Sequence, residues 1–406
     1  NWKTEVLSFH DIGVGGYMSS SNAGRGADRA PTRRMGGPPR PNGNVSGSLD
    51  LALAAGYVVV SPGCRGRDNR AADGTWYGKA PAAIVDLKAA VRYIRHNRGV
   101  LPGNPDWSVS TGGSAGGALS ALLGASGDSP LYEASLREIG AAEGSDRVFA
   151  SACFCPIADL DHADMAYEWM YGALPARSGP VDPALSGQLK AAFAGYQASL
   201  QLQGRNGFGT LTADNYTSYL LQAYLVPAAN QYLRALTAEK RREYLVRNPW
   251  ITWSDSGAAF TFADYAAHVG RMKGLPAFDA FDLTTPECIL FGDAATDARH
   301  FTDFSLRHAT GDPGVRLDGG LQTVVNLMNT MYFILPNPDG VAPHWWLRQG
   351  ACDNHTSPTV FINLATSLEN RNKDVNTRLY WDAGHGADED PEDFIAWIGK
   401  ITGFAR

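Results

Sequence analysis

The residue with the strongest chemical signature in the sequence is Ser114. It lies in the segment 112–116 (Gly-Gly-Ser-Ala-Gly), which fits the pattern G-x-S-x-G and stands between a strand candidate at 107–110 and a helical run at 118–123. A tight turn from strand to helix needs small residues two positions before and after the serine, and it leaves the hydroxyl facing the helix N-terminus. This setting predicts a nucleophile, whereas the same letters in an isolated loop would carry no chemistry.

A serine hydroxyl is a weak nucleophile unless a base takes its proton. His385 follows the last predicted strand and is flanked by Gly384 and Gly386, which suits a catalytic loop. Asp353 follows the preceding strand, so the chain order is serine, aspartate, histidine. In that order the aspartate holds one imidazole tautomer and stabilises the imidazolium. We therefore predict a triad of Ser114, Asp353 and His385.

Three other aspartates compete for the role of the acid. Asp159 and Asp161 follow an earlier strand candidate, a second position from which an acid can reach the base. Asp382 is only three residues before His385 and is too close to it in sequence to be the first choice. Asp353 is preferred because it follows the strand that precedes the base in the chain order.

The tetrahedral intermediate of acyl transfer needs backbone N–H donors. One donor is predicted at Ala115, the residue after the nucleophile. The second is predicted at Gly16, in an early glycine-rich turn, with Gly15 and Tyr17 as alternatives. Backbone donors leave no side-chain signature, so the sequence does not separate these three positions.

Alternating strands and helices position these residues. Short apolar runs predict buried parallel strands, and apolar residues at helical spacing predict helices. The first part of the chain reads strand 5–9, helix 48–55, strand 56–61, helix 82–96, strand 107–110, helix 118–123 and strand 148–157. The last part reads strand 344–350, helix 358–370, strand 377–381 and helix 391–401. This order predicts an α/β fold with a mostly parallel sheet flanked by helices.

The middle of the chain differs from both ends. Residues 166–325 are rich in helix and aromatic residues and show no strand–helix alternation, which predicts an inserted lid. The predicted division is 1–165 for the first part of the α/β core, 166–325 for the lid and 326–406 for the second part of the core. The second part of the core carries the acid and the base.

Composition limits the classes of function. The 406 residues include 35 Lys plus Arg and 41 Asp plus Glu, a net charge of −6, with 44% hydrophobic and 19% charged residues. This composition is typical of a globular chain, and its mild acidity disfavours a nucleic-acid partner. No run of about 18 apolar residues predicts a membrane span. The sequence does not predict the oligomeric state.

Metal and redox chemistry are not expected. The five cysteines are an odd number, which does not predict a disulfide framework, and we expect buried, inert thiols. The segment 161–164 (Asp-His-Ala-Asp) resembles a metal cluster, but no further Glu/His pair follows at ligand spacing. We therefore predict neither a metal nor a cofactor.

Several stretches outside these motifs resemble the bacterial tannase group of α/β-hydrolases, also described as tannase/feruloyl-esterase-like. The resemblance extends over most of the chain and is far more specific than G-x-S-x-G alone. It covers the residues around the predicted nucleophile and stretches in the core and the lid, namely 14–18, 56–60, 80–90, 161–169, 271–279 and 286–294. It implies an α/β-hydrolase fold and a serine esterase that cleaves galloyl or related phenolic esters.

The resemblance also implies residues that bind the substrate. The family's catalytic residues map onto the triad already predicted. In the tannases a lysine and a glutamate of the lid hold galloyl hydroxyls, and these match Lys273 and Glu287. Phenolic hydroxyls donate and accept hydrogen bonds, and charged partners strengthen them. A salt bridge between the two side chains within the lid is the alternative.

The chain departs from the family at position 355. The family has Asp-x-Asp at the acid, where this chain has Asp353, Asn354 and His355. A neutral imidazole can bond one hydroxyl but lacks the two acceptor oxygens of a carboxylate. The alternatives are therefore a feruloyl or alkyl esterase without strict gallate selectivity, a peptidase or polyester hydrolase on the same scaffold, and a non-catalytic binding protein.

The start of the chain also departs from the family. The tannases carry early strands before the loop of the second N–H donor, whereas Asn1 lies only fifteen residues before Gly16. Either those strands are missing from this sequence or the form is shortened. Because the chain begins with Asn1, a leader was removed or the N-terminus is incomplete, so secreted, periplasmic and cytoplasmic locations all stay open.

Overall fold

Six strands form a central sheet in which every pairing is parallel. The computed structural model describes residues 5–8, 48–172, 174–336 and 338–404. The strands in chain order are β1 (Glu5–Ser8), β2 (Val58–Val60), β3 (Val109–Gly113), β4 (Ala150–Phe154), β5 (Gln203–Gly204), β6 (Gly209–Thr210), β7 (Thr252–Ser254), β8 (Gly257–Ala259), β9 (His344–Gly350) and β10 (Asp374–Tyr380). The sheet order is β2–β1–β3–β4–β9–β10, while β5–β6 and β7–β8 are antiparallel hairpins.

Helices cover both faces of this sheet. The helices of the first part of the chain are α1 (Ser48–Ala54), α2 (Ala82–His96), α3 (Ala115–Ala125), α4 (Glu133–Glu138) and α5 (Leu160–Tyr171). Successive side chains of a strand point to opposite faces. Trp346 therefore packs with Phe394 and Trp397 on one face, whereas Trp345 and Leu347 belong to the core on the other.

The helix-rich middle segment lies between β4 and β9. Its helices are α6 (Pro183–Ser199), α7 (Tyr216–Leu220), α8 (Val226–Ala235), α9 (Ala238–Arg247), α10 (Phe262–Val269), α11 (Pro286–Leu290), α12 (Asp303–Thr310), α13 (Gly319–Leu327) and α14 (Thr330–Ile334). The chain ends with α15 (Pro358–Glu369) and α16 (Pro391–Thr402). Across the described ranges, no helix combines the length and the apolarity needed to cross a bilayer.

The predicted α/β order is confirmed, with shifted bounds. Helix α2 has the predicted limits, because Ile84, Leu87, Val91 and Ile94 form its buried face. Strand β3 continues through Gly113 because it pairs residue by residue with β4, so the following helix begins at Ala115 rather than at 118. The expected domain limits at 165/166 and 325/326 fall inside α5 and α13, and the division into core and lid stays a prediction.

A buried group of charges fixes α2 against the loop before β4. The Lys88 ammonium donates to Asp146 at 2.8 Å and to the Ser126 carbonyl at 2.6 Å, and both charged side chains are fully buried. The Arg92 guanidinium donates to the same carboxylate at 2.9 Å. Burial lowers the pKa of Lys88, and the charge of Asp146 opposes that effect. Arg92 also donates to the Glu133 carboxylate, whereas Asp146 is the carboxylate that Lys88 and Arg92 share.

Replacing that carboxylate is expected to destabilise the fold. Asp146→Ala leaves the buried Lys88 ammonium without a carboxylate partner and Arg92 with Glu133 alone, which should lower the free energy of unfolding by about 3–5 kcal/mol. Asp106→Ala is the control, because its ion pair with Arg98 has both side chains more than half exposed, at 56% and 53%. That variant should lose about 1 kcal/mol or less. Chemical denaturation measures both, and equal losses would contradict the structural role.

Candidate active site

Ser114 stands at a sharp turn between β3 and α3. Its backbone has φ 57° and ψ −120°, a strained conformation for a residue with a side chain. Its amide donates to the Phe154 carbonyl at 2.8 Å, which fixes the turn against β4. A Cβ atom at Gly112 would lie 2.3 Å from the carbonyl oxygen of Gly116. The small residues of the sequence pattern are therefore required by backbone contact.

The structure brings the three residues of the predicted triad together. His385 Nε2 lies 2.7 Å from Ser114 Oγ, and His385 Nδ1 lies 3.0 Å from Asp353 Oδ2. When Nδ1–H donates to the carboxylate, Nε2 carries the lone pair that accepts the serine hydroxyl. The Asp353 side chain is fully buried, while His385 retains 17% exposure. The arrangement leaves the imidazole open to the solvent side and its carboxylate partner enclosed.

The loops that carry the acid and the base are joined by their backbones. They follow the neighbouring strands β9 and β10. The Ala351 amide donates to the Tyr380 carbonyl, and the Cys352 amide donates to the Ala383 carbonyl, each at 2.8 Å. At Gly350 a Cβ atom would lie 2.3 Å from the Ala383 carbonyl oxygen. This close approach needs glycine, and it sets the distance between the two loops.

The competing aspartates have other partners. Asp159 Oδ1 lies 2.8 Å from His162 Nδ1, and Asn329 Nδ2 donates to Asp159 at 2.8 Å and to Asp161 at 2.6 Å. Although burial opposes it, the charges of both aspartates raise the pKa of His162 well above its ordinary value. Asp382 makes no described hydrogen bond to the imidazole of His385. Of the described carboxylates, the Asp353 carboxylate is the one that bonds that ring.

The predicted N–H donors are only partly described. The Ala115 amide lies in the first turn of α3, where backbone N–H groups have no acceptor within the helix. Ala115 also lines the cavity in front of Ser114. Gly16 and its alternatives Gly15 and Tyr17 lie outside the described residues.

A cavity of about 790 Å³ opens in front of the serine. Its wall includes Ser114 and Ala115 together with all three residues predicted to bind substrate, Lys273, Glu287 and His355. Most of the remaining wall comes from the segment 274–286, between the lysine and the glutamate. The predicted catalytic and substrate-binding positions therefore share one cavity.

Lys273 does not form the salt bridge considered as an alternative. Its ammonium stands 3.5 Å from the centre of the Phe278 ring, in a cation–π contact. Among the described carboxylates, including Glu287, none lies within ion-pair distance of this ammonium. Burial lowers the pKa of Lys273, while the charges of Glu287 and Asp164 oppose that shift. The Lys273 ammonium is therefore not paired with Glu287, and both groups remain available to a polar ligand.

His355 lies directly against the predicted base. Its ring stacks on His385 with centres 3.9 Å apart and an angle of 11° between the planes. Its amide donates to Asp353 Oδ1 at 2.9 Å. Burial, followed by the charge of His385, lowers the pKa of His355 to about 4. At neutral pH this ring is therefore an uncharged group in the cavity wall.

Helix α5 holds the segment that carries Lys273, a role that the sequence did not reveal. The Tyr167 hydroxyl accepts the amides of Met272 and Lys273 at 3.1 Å and donates to the Asn354 carbonyl at 3.0 Å. This one hydroxyl links the segment of Lys273 to the loop of Asp353 and His355. The sequence contains the tyrosine but gives no signal for partners more than 100 residues away.

A buried ion pair reinforces the same contact. The Arg271 guanidinium donates to both oxygens of Glu168, at 2.5 and 2.8 Å, and both side chains are fully buried. The same guanidinium donates to the carbonyls of Gly172, Lys273 and Gly274 at 2.7 to 2.9 Å. Earlier in α5, Asp164 accepts the amides of residues 278 and 279, in the next part of the same segment. Helix α5 therefore anchors the cavity wall at three points.

The fold and the site together define the α/β-hydrolase class. The sheet is parallel, a serine stands on a strand–turn–helix elbow, and a hydrogen-bonded histidine and aspartate follow the last two strands. The family model BD-FAE matches residues 41–170. Esterase LipQ of Mycobacterium tuberculosis is 30% identical over 174 residues, which are 39% of this chain and 37% of that protein. The chain thus spans little more than a third of this curated relative.

Solved structures match almost the whole chain. The tannase of Fusobacterium nucleatum has a TM-score of 0.81 and 34% identity, over 98% of this chain and 86% of its own. The tannin acyl hydrolase of Lactobacillus plantarum has a TM-score of 0.81 and 33% identity, over 98% and 85%. A tannin acyl hydrolase in complex with ethyl gallate gives 0.81 and 33%, over 99% and 85%. The chain belongs to the bacterial tannase family of α/β-hydrolases.

The Tyr167 hydroxyl is expected to stabilise both the contact of α5 with residues 272 and 273 and the site. Tyr167→Phe removes the acceptor of two amides and should cost about 1–3 kcal/mol of unfolding free energy, with a lower kcat/KM. Tyr171→Phe is the matched control, one turn away on α5, because its buried hydroxyl has no partner among the described residues. Denaturation and ester kinetics measure both variants. A Tyr171→Phe variant as impaired as Tyr167→Phe would contradict the assignment.

The environment of His355 predicts how stability depends on pH. Its pKa of about 4 in the folded protein lies below the ordinary value of 6.5. On acidification the His355 imidazole therefore takes up a proton in the unfolded chain before it does so in the folded protein. The free energy of unfolding falls as the pH drops from about 6.5 to about 4. His355→Gln should show a smaller loss over that range. Urea denaturation at several pH values measures the difference, and parallel curves for the two proteins would refute it.

Proposed function

We propose that this chain is a serine carboxylic ester hydrolase that cleaves galloyl or related phenolic esters through an acyl-enzyme. The observation that carries the proposal is the pair of hydrogen bonds from Ser114 Oγ to His385 Nε2 and from His385 Nδ1 to Asp353. A nucleophile within reach of a base, with the base oriented by a third group, is the arrangement that nucleophilic acyl transfer requires.

Acylation begins when Ser114 Oγ attacks the ester carbonyl and His385 Nε2 takes its proton. The charge that develops on the carbonyl oxygen needs N–H donors, and the Ala115 amide is one candidate beside the nucleophile. Gly16 is the proposed second donor. The buried Asp353 carboxylate stabilises the imidazolium through the Nδ1–H bond. The imidazolium then protonates the leaving alcohol oxygen, which leaves the acyl group on the serine.

Deacylation repeats these steps with water. His385 removes a proton from a water molecule as the water attacks the acyl carbonyl, and the second tetrahedral intermediate collapses to release the acid and restore the serine hydroxyl. The imidazole thus acts first as base and then as acid in each half of the reaction. The site therefore needs a ring whose Nε2 faces the serine throughout, as the stacking and the carboxylate bond of His385 provide.

The cavity wall supports an aromatic acid as the acyl part. Lys273 and Glu287 offer a donor and an acceptor to ring hydroxyls, and apolar residues between them, such as Leu275 and Phe281, can contact the ring. Related tannin acyl hydrolases were solved with ethyl gallate and with 3,4-dihydroxybenzoate, ligands with ring hydroxyls of this kind. The uncharged His355 in the wall favours acceptance of esters with fewer hydroxyls, so a broader feruloyl or alkyl esterase is the second candidate.

Removing the nucleophile is expected to abolish turnover. Ser114→Ala should lower kcat for propyl gallate, methyl ferulate and nitrophenyl acetate by about 10⁴-fold or more, because the covalent step is lost for every ester. Ser178→Ala is the control, since this serine lines the same cavity. Initial rates with each ester measure the effect. Turnover that persists in Ser114→Ala would overturn the mechanism.

Position 355 is expected to control selectivity among phenolic acids. His355→Asp supplies a two-oxygen acceptor and should raise the ratio of kcat/KM for gallate over ferulate esters by roughly tenfold or more. His355→Asn, which is neutral and similar in size to aspartate, separates the effect of charge from that of size. A panel of gallate, protocatechuate, ferulate and acetate esters measures it. An unchanged profile in His355→Asp would show that this position does not contact the ring hydroxyls.

A further inference from the structure

A second group of possible ligands lies beside the acid and base loops. It consists of His268 in the last turn of α10, Cys352 directly before Asp353, and Asp382 in the turn after β10. One ligand atom from each side chain lies within 4.8 Å of the other two, and all three residues are half-buried. None of the three lines the cavity in front of the serine. The group is therefore separate from that cavity.

This group differs from the other clusters of the same residue types. In those clusters the imidazole already bonds a carboxylate, at 2.8 Å in Asp159–His162, 2.7 Å in Asp279–His300 and 3.0 Å in Asp353–His385. In the group of His268, Cys352 and Asp382, no described hydrogen bond or ion pair joins one side chain to another. Their ligand atoms therefore lie close together without being paired with one another.

The ligand set matches a transition metal. A thiolate, an imidazole and a carboxylate suit Zn²⁺, with bonds of about 2.0–2.3 Å and a fourth position for water. Three atoms no more than 4.8 Å apart share a point within about 2.8 Å of each of them, so side-chain movements of under about 1 Å reach those bond lengths. We propose that His268, Cys352 and Asp382 form a Zn²⁺ site, distinct from the esterase centre.

The surroundings are compatible with a cation. Burial lowers the pKa of His268, so its imidazole is neutral and can act as a ligand at neutral pH. Trp250 packs against that ring, with centres 4.8 Å apart, and restricts its orientation. Burial raises the pKa of Asp382 to about 6, against the opposing effects of Tyr244 and Arg247, so its carboxylate is mostly ionised at neutral pH. Burial, followed by the charge of Asp382, raises the pKa of Cys352 to about 12, so the metal itself must displace the S–H proton, which passes to the solvent when the metal–sulfur bond forms.

The site would connect the two loops of the triad. Cys352 precedes the predicted acid, and Asp382 is three residues before the predicted base. The Cys352 amide already donates to the Ala383 carbonyl at 2.8 Å. A bound ion adds a second link across the same gap, and a ligand that binds only the folded chain raises its stability.

Titration of the metal-free, untagged full chain with Co²⁺ tests the proposal, because cobalt reports its ligands by absorption. We expect one equivalent to bind with a thiolate-to-cobalt charge-transfer band in the near ultraviolet and to be displaced by Zn²⁺. The band should vanish in Cys352→Ser and persist in Cys64→Ser, which removes the other half-buried thiol. His268→Gln and Asp382→Asn should weaken Co²⁺ binding about tenfold or more.

Two results would overturn the proposal. One is a folded wild-type protein that gives no charge-transfer band at an excess of Co²⁺, and the other is a band that survives in Cys352→Ser. Circular dichroism of each variant confirms that the fold is intact before titration. The same titration on Ser114→Ala should give an unchanged band, so the outcome is independent of the ester hydrolase assignment.

Discussion

The hydrogen bond between Ser114 Oγ and His385 Nε2 is the interaction on which the rest of the site depends. It joins residues 271 positions apart in the sequence, and it exists because β3 and β10 are parallel strands of one sheet. Parallel strands place their carboxyl ends at the same edge, so loops from distant parts of the chain meet there. The Asp353 carboxylate lies at this edge for the same reason, because it follows β9.

The edge alone does not make a binding site, because most of the rest of the cavity wall comes from the segment 274–286. Helix α5 fixes that wall through the Tyr167 hydroxyl and the buried pair of Glu168 and Arg271. Removing one partner of such a pair leaves the other charge buried and unpaired, which is costly. The main effect of the pair is therefore to fix the position of the wall rather than to add net stability. The position of Lys273 relative to the serine is therefore set by contacts that do not themselves touch the cavity.

Local patterns were sufficient to predict the sheet, the elbow and the residues that meet there. The apolar run 58–60 predicts a strand, and the G-x-S-x-G segment predicts the elbow. The order of the strands then indicates which loops carry the candidate acid and base. The start of β10 at Asp374 was missed because this strand lies at the edge of the sheet and its first residues alternate between exposed and half-buried side chains. The pairing of Glu168 with Arg271 could not be predicted, because no local sequence pattern links residues 103 positions apart.

The central claim is that one hydroxyl forms a covalent acyl intermediate. The most direct measurement is reaction with a fluorophosphonate, followed by mass spectrometry of the digested protein, in the wild type and in His385→Gln. The account predicts a single phosphonyl group on the peptide that contains Ser114, formed far more slowly in the variant because the hydroxyl has lost its base. Labelling of a different residue, or an equal rate in the two proteins, would contradict it.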